Sequence, residues 1–92
     1  METLSVAIIV KELESLKDWS YVDNAIEKKF QFKDFNAALG FIVQVGLLAE
    51  KKNHHPELFN VYNKVNIRLA THDANGVTDK DIALAKAIDT IS

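Results

Sequence analysis

Glu50, His54, His55, His72 and Asp81 are the side chains of this sequence best suited to moving protons. All three histidines lie in the stretch EKKNHHPELFNVYNKVNIRLATHDANGVTDKD, Glu50 to Asp81, and the chain's one proline, Pro56, follows the His-His pair directly. Histidine exchanges a proton more readily near neutral pH than any other side chain. A short chain that gathers its whole histidine supply into one window therefore has the makings of a general acid/base site.

The same residues allow other readings. His54, His55 and His72 with Asp73 or Glu50 could hold a divalent metal, since imidazole and carboxylate suit zinc. Adjacent histidines, however, chelate one ion awkwardly. Glu50 and His54 are four apart and could touch at a helix end, or Glu50 could simply be solvated there. Asp81 stands three residues after Thr78, and a capping role accounts for it completely. Tyr62 and Trp19 suit a core or an interface, or a flat wall beside a planar ring.

Seven elements, in the order helix, two strands, helix, two strands, helix, must position these groups. Residues 5 to 17 read as a helix capped by Ser5, with Val6, Ile9, Leu13 and Leu16 on one face. Trp19 to Val22 and Ala25 to Phe32 read as a hairpin across Asp23-Asn24, two residues that tolerate tight backbone conformations. Asp34 caps a second helix, 35 to 50, whose apolar stripe is Phe35, Leu39, Ile42, Val45 and Ala49. Gly40 and Gly46 inside that helix each cost about 1 kcal/mol against alanine, which implies close packing against a neighbour.

Pro56 pushes His55 towards extended backbone, so the His-His pair falls where the second helix gives way to a loop. Leu58 to Tyr62 and Lys64 to Thr71 read as two further strands. If the second continues, His72 shares the face of Lys64, Asn66 and Arg68. Asn75-Gly76 marks a turn. Thr78 opens the last helix, with Ile82, Leu84, Ala85, Ile88 and Ile91 on its apolar side. The sum is one α+β domain over residues 1–92, a four-stranded, mostly antiparallel sheet with three helices on one face.

With 92 residues, 48% hydrophobic and 26% charged, the composition is that of a small globular domain. A net charge of −2 lacks the basic footprint of nucleic-acid binding. The absence of cysteine removes disulfides, thiol nucleophiles and thiolate metal sites. The start, METLSVAIIVKELESL, has no basic flank, and its apolar run is too short for a signal core or a membrane span. A cytoplasmic location is the expectation, with the nucleus added for a eukaryotic source.

The spaced set Glu50, His54-His55-Pro56, Tyr62, His72 and Asp81, with the flanks AIEKKFQFKDFNAALGF and FNVYNKV, resembles the signature of the pterin-4a-carbinolamine dehydratases. The likeness runs from about Trp19 to Ile91. It implies a hydro-lyase that removes water from a 4a-hydroxytetrahydropterin and yields the quinonoid dihydropterin, recycling a tetrahydrobiopterin-type cofactor. No redox change occurs, so the reaction calls for no cofactor or metal. By resemblance, His54 and His72 are the acid/base pair, and His55 mainly holds substrate. Glu50, Asn53, Thr71, Tyr62 and Leu58 join it in binding, Glu50 orients His54 or meets the pterin, and Asp81 supports.

The family is oligomeric, which implies a homodimer or homotetramer. Some members also act as dimerisation cofactors of a homeodomain transcription factor, so a protein-binding role is the alternative. The chain departs from the family pattern at Leu58, where tryptophan is common, at Asn53, often acidic, and at Ala70, commonly serine.

Overall fold

Ser5 is extended, and its hydroxyl accepts the Ile8 N–H at 3.3 Å, which starts α1, Val6–Leu13. The helix is shorter than its apolar spacing predicts. Glu14, Ser15 and Leu16 donate to carbonyls three residues back, and the Ser15 hydroxyl also takes the Glu12 carbonyl at 2.9 Å. A serine that competes for the last carbonyls tightens and ends a helix. Ile9 is fully buried and Leu13 and Leu16 pack on the core, but Val6 is exposed. The structure, a computed structural model, describes residues 2–92.

β1, Ser20–Val22, and β2, Ala25–Gln31, form the expected hairpin. Asp23 and Asn24 both take positive φ, 49° and 63°, the turn whose twist matches antiparallel strands. The Arg68 guanidinium braces it by donating to the Val22 and Asp23 carbonyls at 2.9 and 2.7 Å. β3, Glu57–Val61, and β4, Lys64–Leu69, complete a sheet of order β1-β2-β4-β3 in which every neighbouring pair is antiparallel. Pairing of Phe30 with Val65, Lys28 with Ile67 and Ile26 with Leu69 sets the buried face. Glu27, Lys29, Gln31, Lys64, Asn66 and Arg68 line the opposite face.

α2, Phe35–Lys52, starts at Asp34, whose carboxylate accepts the Ala37 N–H at 2.8 Å. Its buried stripe is Ala38, Phe41, Val45 and Ala49. Val45 and Ala49 of the expected stripe are in it and Ile42 packs half-buried against the core; the other two are corrected. Phe35 and Leu39 are exposed and join Val43 and Leu47 in an outward apolar row at four-residue steps. The helix is apolar on more than one side, so spacing alone could not choose between faces; the ring cluster of Phe41 with Phe30 and Phe32, at centroid distances of 4.7 and 4.9 Å, does. Nor are Gly40 and Gly46 packed against anything: a Cβ at either would meet no atom within 4 Å.

α3, Asp79–Ile91, opens with the expected capping box of Thr78 and Asp81. It packs against α2 and buries Ile82, Leu84, Ala85 and Ile88. At its far end Asp89 gathers three donors: Trp19 Nε1 at 2.9 Å, Lys28 Nζ at 3.1 Å and the Lys17 N–H at 3.3 Å. Lys28 is buried on the core side of β2 and sits over the Phe30 ring. A buried ammonium needs that carboxylate. Asp89→Ala is therefore expected to cost about 1–3 kcal/mol, lowering the thermal midpoint of a domain this size by at least about 4 °C. An unchanged midpoint would show that Asp89 does not hold this end of α3.

Candidate functional site

The end of α2 places the histidines. Asn53 takes a left-handed conformation, φ 50° and ψ 43°, which asparagine tolerates better than most residues. The His54 N–H then donates to the Ala49 carbonyl at 3.0 Å, and the Asn53 N–H to the Glu50 carbonyl at 3.1 Å. This pair of reversed bonds is the Schellman closure of a helix. It turns the chain sharply, so that His54 and His55, adjacent in sequence, leave in different directions.

His54 turns inward. Its side chain is only 10% exposed, and Nε2 lies 2.5 Å from Oδ1 of Asp81, a wholly buried carboxylate. The other oxygen of Asp81, Oδ2, accepts the Thr78 N–H at 2.9 Å and the Thr71 hydroxyl at 2.8 Å. One carboxylate thus caps α3 and grips a histidine from α2. A carboxylate can only accept, so the shared proton belongs to Nε2, and Nδ1 of His54 is the nitrogen left for a ligand.

His55 turns outward, its Nε2 2.7 Å from Oε1 of Glu50, both side chains well exposed. The expectation that Glu50 orients His54 is thereby corrected. Four-residue spacing pairs side chains only while the helix lasts, and Asn53 ends it first. Asp81, which the capping box seemed to explain fully, is the partner of His54.

His72 also departs from its simplest reading. β4 ends at Leu69, and His72 opens a one-turn 3-10 helix, His72–Ala74, closed by Asn75 in a left-handed conformation. Strand alternation therefore does not set its direction. The turn is pinned at Thr71, which forms an isolated bridge with Gly76. A Cβ at Gly76 would stand 2.7 Å from the Thr3 methyl, and the Leu4 N–H donates to the Val77 carbonyl at 2.8 Å, so the segment before α1 lies close against this turn.

His54, His55 and His72 line one cleft of about 420 Å³, open to solvent, together with Asn53, Pro56, Ala70, Thr71, Asp73 and Lys80. Of the residues expected to bind substrate, Asn53, His55 and Thr71 are there. Glu50 reaches its edge through His55. Tyr62 stands in the β3–β4 turn, φ 51°, at the opposite end of the hairpin from Pro56, and Leu58 pairs with Ile67 on β3 outside the cleft lining. Lys80, which the sequence reading passed over, is brought in by the first turn of α3; its adjacency to Asp81 was the available signal. Another cleft of about 490 Å³ on the open sheet face, around Phe59, Val61, Lys29 and Lys64, holds no histidine or carboxylate. No group of three or more His, Asp or Glu placed to hold a metal ion occurs among the described residues.

Comparison with known proteins identifies relatives of this arrangement. The family model described as pterin 4 alpha carbinolamine dehydratase matches residues 2–91. A protein of Burkholderia pseudomallei (strain 1710b), provisionally named pterin-4-alpha-carbinolamine dehydratase, is 51% identical over 82 residues, 87% of this chain and 81% of its own. One of Bradyrhizobium sp. (strain ORS 278), under the same provisional name, is 49% identical over 94 residues, covering 100% of this chain and 94% of its own. A crystal structure described as a transcriptional coactivator/pterin dehydratase from Brucella melitensis superposes with a TM-score of 0.94 at 46% identity, covering 98% of each chain. A pterin dehydratase-like RuBisCO assembly factor of the alpha-carboxysome shares the fold alone, with a TM-score of 0.65 at 20% identity over 79% of this chain and 84% of its own.

Proposed function

Because the chain belongs to the pterin 4 alpha carbinolamine dehydratase family, we propose that it dehydrates a 4a-hydroxytetrahydropterin to the quinonoid dihydropterin by histidine acid/base catalysis, returning a tetrahydrobiopterin-type cofactor to use. The observation that carries the reading is the carboxylate-backed His54 in one cleft with His55 and His72. In the reaction the C4a–O bond breaks, the N5–H proton is lost, and an N5=C4a double bond forms, with no change of oxidation level.

His54 is the base. Nε2 is committed to Asp81, so Nδ1 offers a lone pair to the N5 proton, and Asp81 stabilises the imidazolium that results, as an orienting carboxylate does for a catalytic histidine. His72, outside the two histidine–carboxylate pairs, protonates the departing hydroxyl as water. His55, held by Glu50 at the rim, contacts the pterin, and Asn53 and Lys80 border it. Solvent returns His54 and His72 to their starting states. The test is stopped-flow dehydration of the carbinolamine with and without the protein, chelator present throughout. A rate equal to the uncatalysed one would end the reading.

A second role has its own observation. The apolar row Phe35, Leu39, Val43 and Leu47 stands outward on α2, and exposed patches of this kind mark association surfaces. The row suits a homo-oligomer, a dimer or tetramer, and also a protein partner, the use suggested by the coactivator description of the Brucella protein. Sedimentation at micromolar concentration is expected to show a species larger than the monomer; a monomer alone would count against self-association. Partner binding that survives His54→Ala would separate that role from the chemistry. No helix of the described residues is long and apolar enough to cross a membrane, in keeping with the cytoplasmic location proposed.

A further inference from the structure

Thr71 was expected to meet substrate, yet its side chain is buried and its hydroxyl is already engaged. A hydroxyl has one proton to give. Thr71 gives it to Asp81 Oδ2 at 2.8 Å. The 2.7 Å contact between the two threonine hydroxyls must then run the other way, from Thr78 Oγ1 to Thr71 Oγ1. Thr78 Oγ1 in turn accepts the Lys80 N–H at 3.3 Å. Every proton in the chain Lys80, Thr78, Thr71, Asp81 has one direction.

That chain ends on Oδ2, which also accepts the Thr78 N–H at 2.9 Å. With Oδ2 held by two donors, the carboxylate plane is fixed and Oδ1 is the oxygen turned to His54. The backbone of Thr71 has a separate task. Its N–H donates to the Gly76 carbonyl at 2.8 Å, and its carbonyl accepts the Ala74 N–H at 3.1 Å, closing the loop that carries His72. The residue next to His72 in sequence thus holds, through Asp81, the orientation of His54.

We propose that Thr71 is a positioning residue that fixes the carboxylate of Asp81, and through it the His54 ring, and ties both to the turn presenting His72, rather than a substrate contact. The kinetic consequence rests on the dehydratase reading; the ordering of the Asp81–His54 pair does not.

Thr71→Val keeps shape, β-branching and backbone bonds but removes the hydroxyl, while Thr71→Ser keeps the hydroxyl. Proton NMR is expected to show the His54 Nε2–H as a downfield resonance slow to exchange with water in the wild type and in Thr71→Ser, and broadened by exchange in Thr71→Val, where Asp81 is held by one donor fewer. Because a hydrogen bond to a charged group is lost, kcat in Thr71→Val is expected to fall about ten- to a hundredfold. KM is expected to stay within about twofold, since no substrate contact is removed, and Thr71→Ser recovers most of kcat. An unchanged Nε2–H resonance and wild-type kcat in Thr71→Val would overturn the proposal. So would a Thr71→Ser variant as impaired as Thr71→Val, or a loss confined to KM, which would restore Thr71 as a substrate contact. Should Thr71→Val fail to fold, Thr71→Cys, whose thiol is a weak donor, is read by the same spectra and the same split of kcat and KM. If the wild type proves inactive, the dehydratase reading falls, and the spectra alone still decide whether Thr71 orders the Asp81–His54 pair.

Discussion

Asp81→Asn is expected to abolish most of the dehydration rate while leaving the fold nearly intact. The asparagine has one oxygen and one NH2 group, and its surroundings decide which goes where. The Thr78 N–H and the Thr71 hydroxyl both donate to the position of Oδ2, so the asparagine oxygen must face them. The NH2 group is then turned to Nε2 of His54, where a donor now meets the nitrogen that had itself been the donor. His54 responds by moving its proton to Nδ1 and accepting through Nε2. The nitrogen proposed to receive the substrate proton no longer has a free lone pair. An asparagine replacing the aspartate behind a catalytic histidine costs on the order of 10⁴ in kcat by this same change of tautomer. The cap of α3 survives, so the thermal midpoint is expected to move by only a few degrees, on the scale of about 1 kcal/mol. Rate and midpoint are measured on one preparation. A variant that keeps its rate would show that the Asp81–His54 bond is not part of the chemistry, and one that loses both together would show that Asp81 acts only through the fold.

His54→Ala and His72→Ala are each expected to lose about 10²–10⁴-fold in the catalysed rate, the contribution of one positioned acid or base. They should differ in stability. His54 is largely buried against Asp81, so its removal leaves a buried carboxylate oxygen without a partner, which costs about 1–3 kcal/mol. His72 is exposed on its turn, and its removal should hardly move the midpoint. His55→Ala, at the rim with Glu50, is expected to raise KM more than it lowers kcat, because it removes binding shared by ground state and transition state. Full activity in both the His54 and His72 variants would overturn the assignment of the acid/base pair.

The local sequence determined a good deal. Asp34 and Thr78 start their helices as side-chain acceptors should, and Asp23-Asn24 and Asn75 supply the positive φ that their turns need. Alternation along Lys64–Leu69 separates a buried from an open sheet face. These are short-range effects, in which capping, turn chemistry and period-two patterning act within a few residues. For the same reason the α+β class, the four strands and the three helices could be read directly. The gathering of histidines near the end of α2 was also legible, since all the residues concerned lie in one stretch of chain.

The tertiary structure decided which residue meets which. Sequence spacing offers Glu50 as the group beside His54, while a helix cap accounts for Asp81. The left-handed turn at Asn53 sends His54 across to α3, so Asp81, 27 residues away, becomes its partner and Glu50 falls to His55. Tyr62, only eight residues after His54 in sequence, is carried by β3 to the far end of its hairpin. α2 has apolar residues on two sides, and only the aromatic cluster beneath the sheet selects Ala38 and Phe41 for the core over Phe35 and Leu39. A carboxylate that caps one helix and holds a histidine at the end of another is invisible to spacing, because its two bonds are made to segments that meet only after the sheet and both helices have packed.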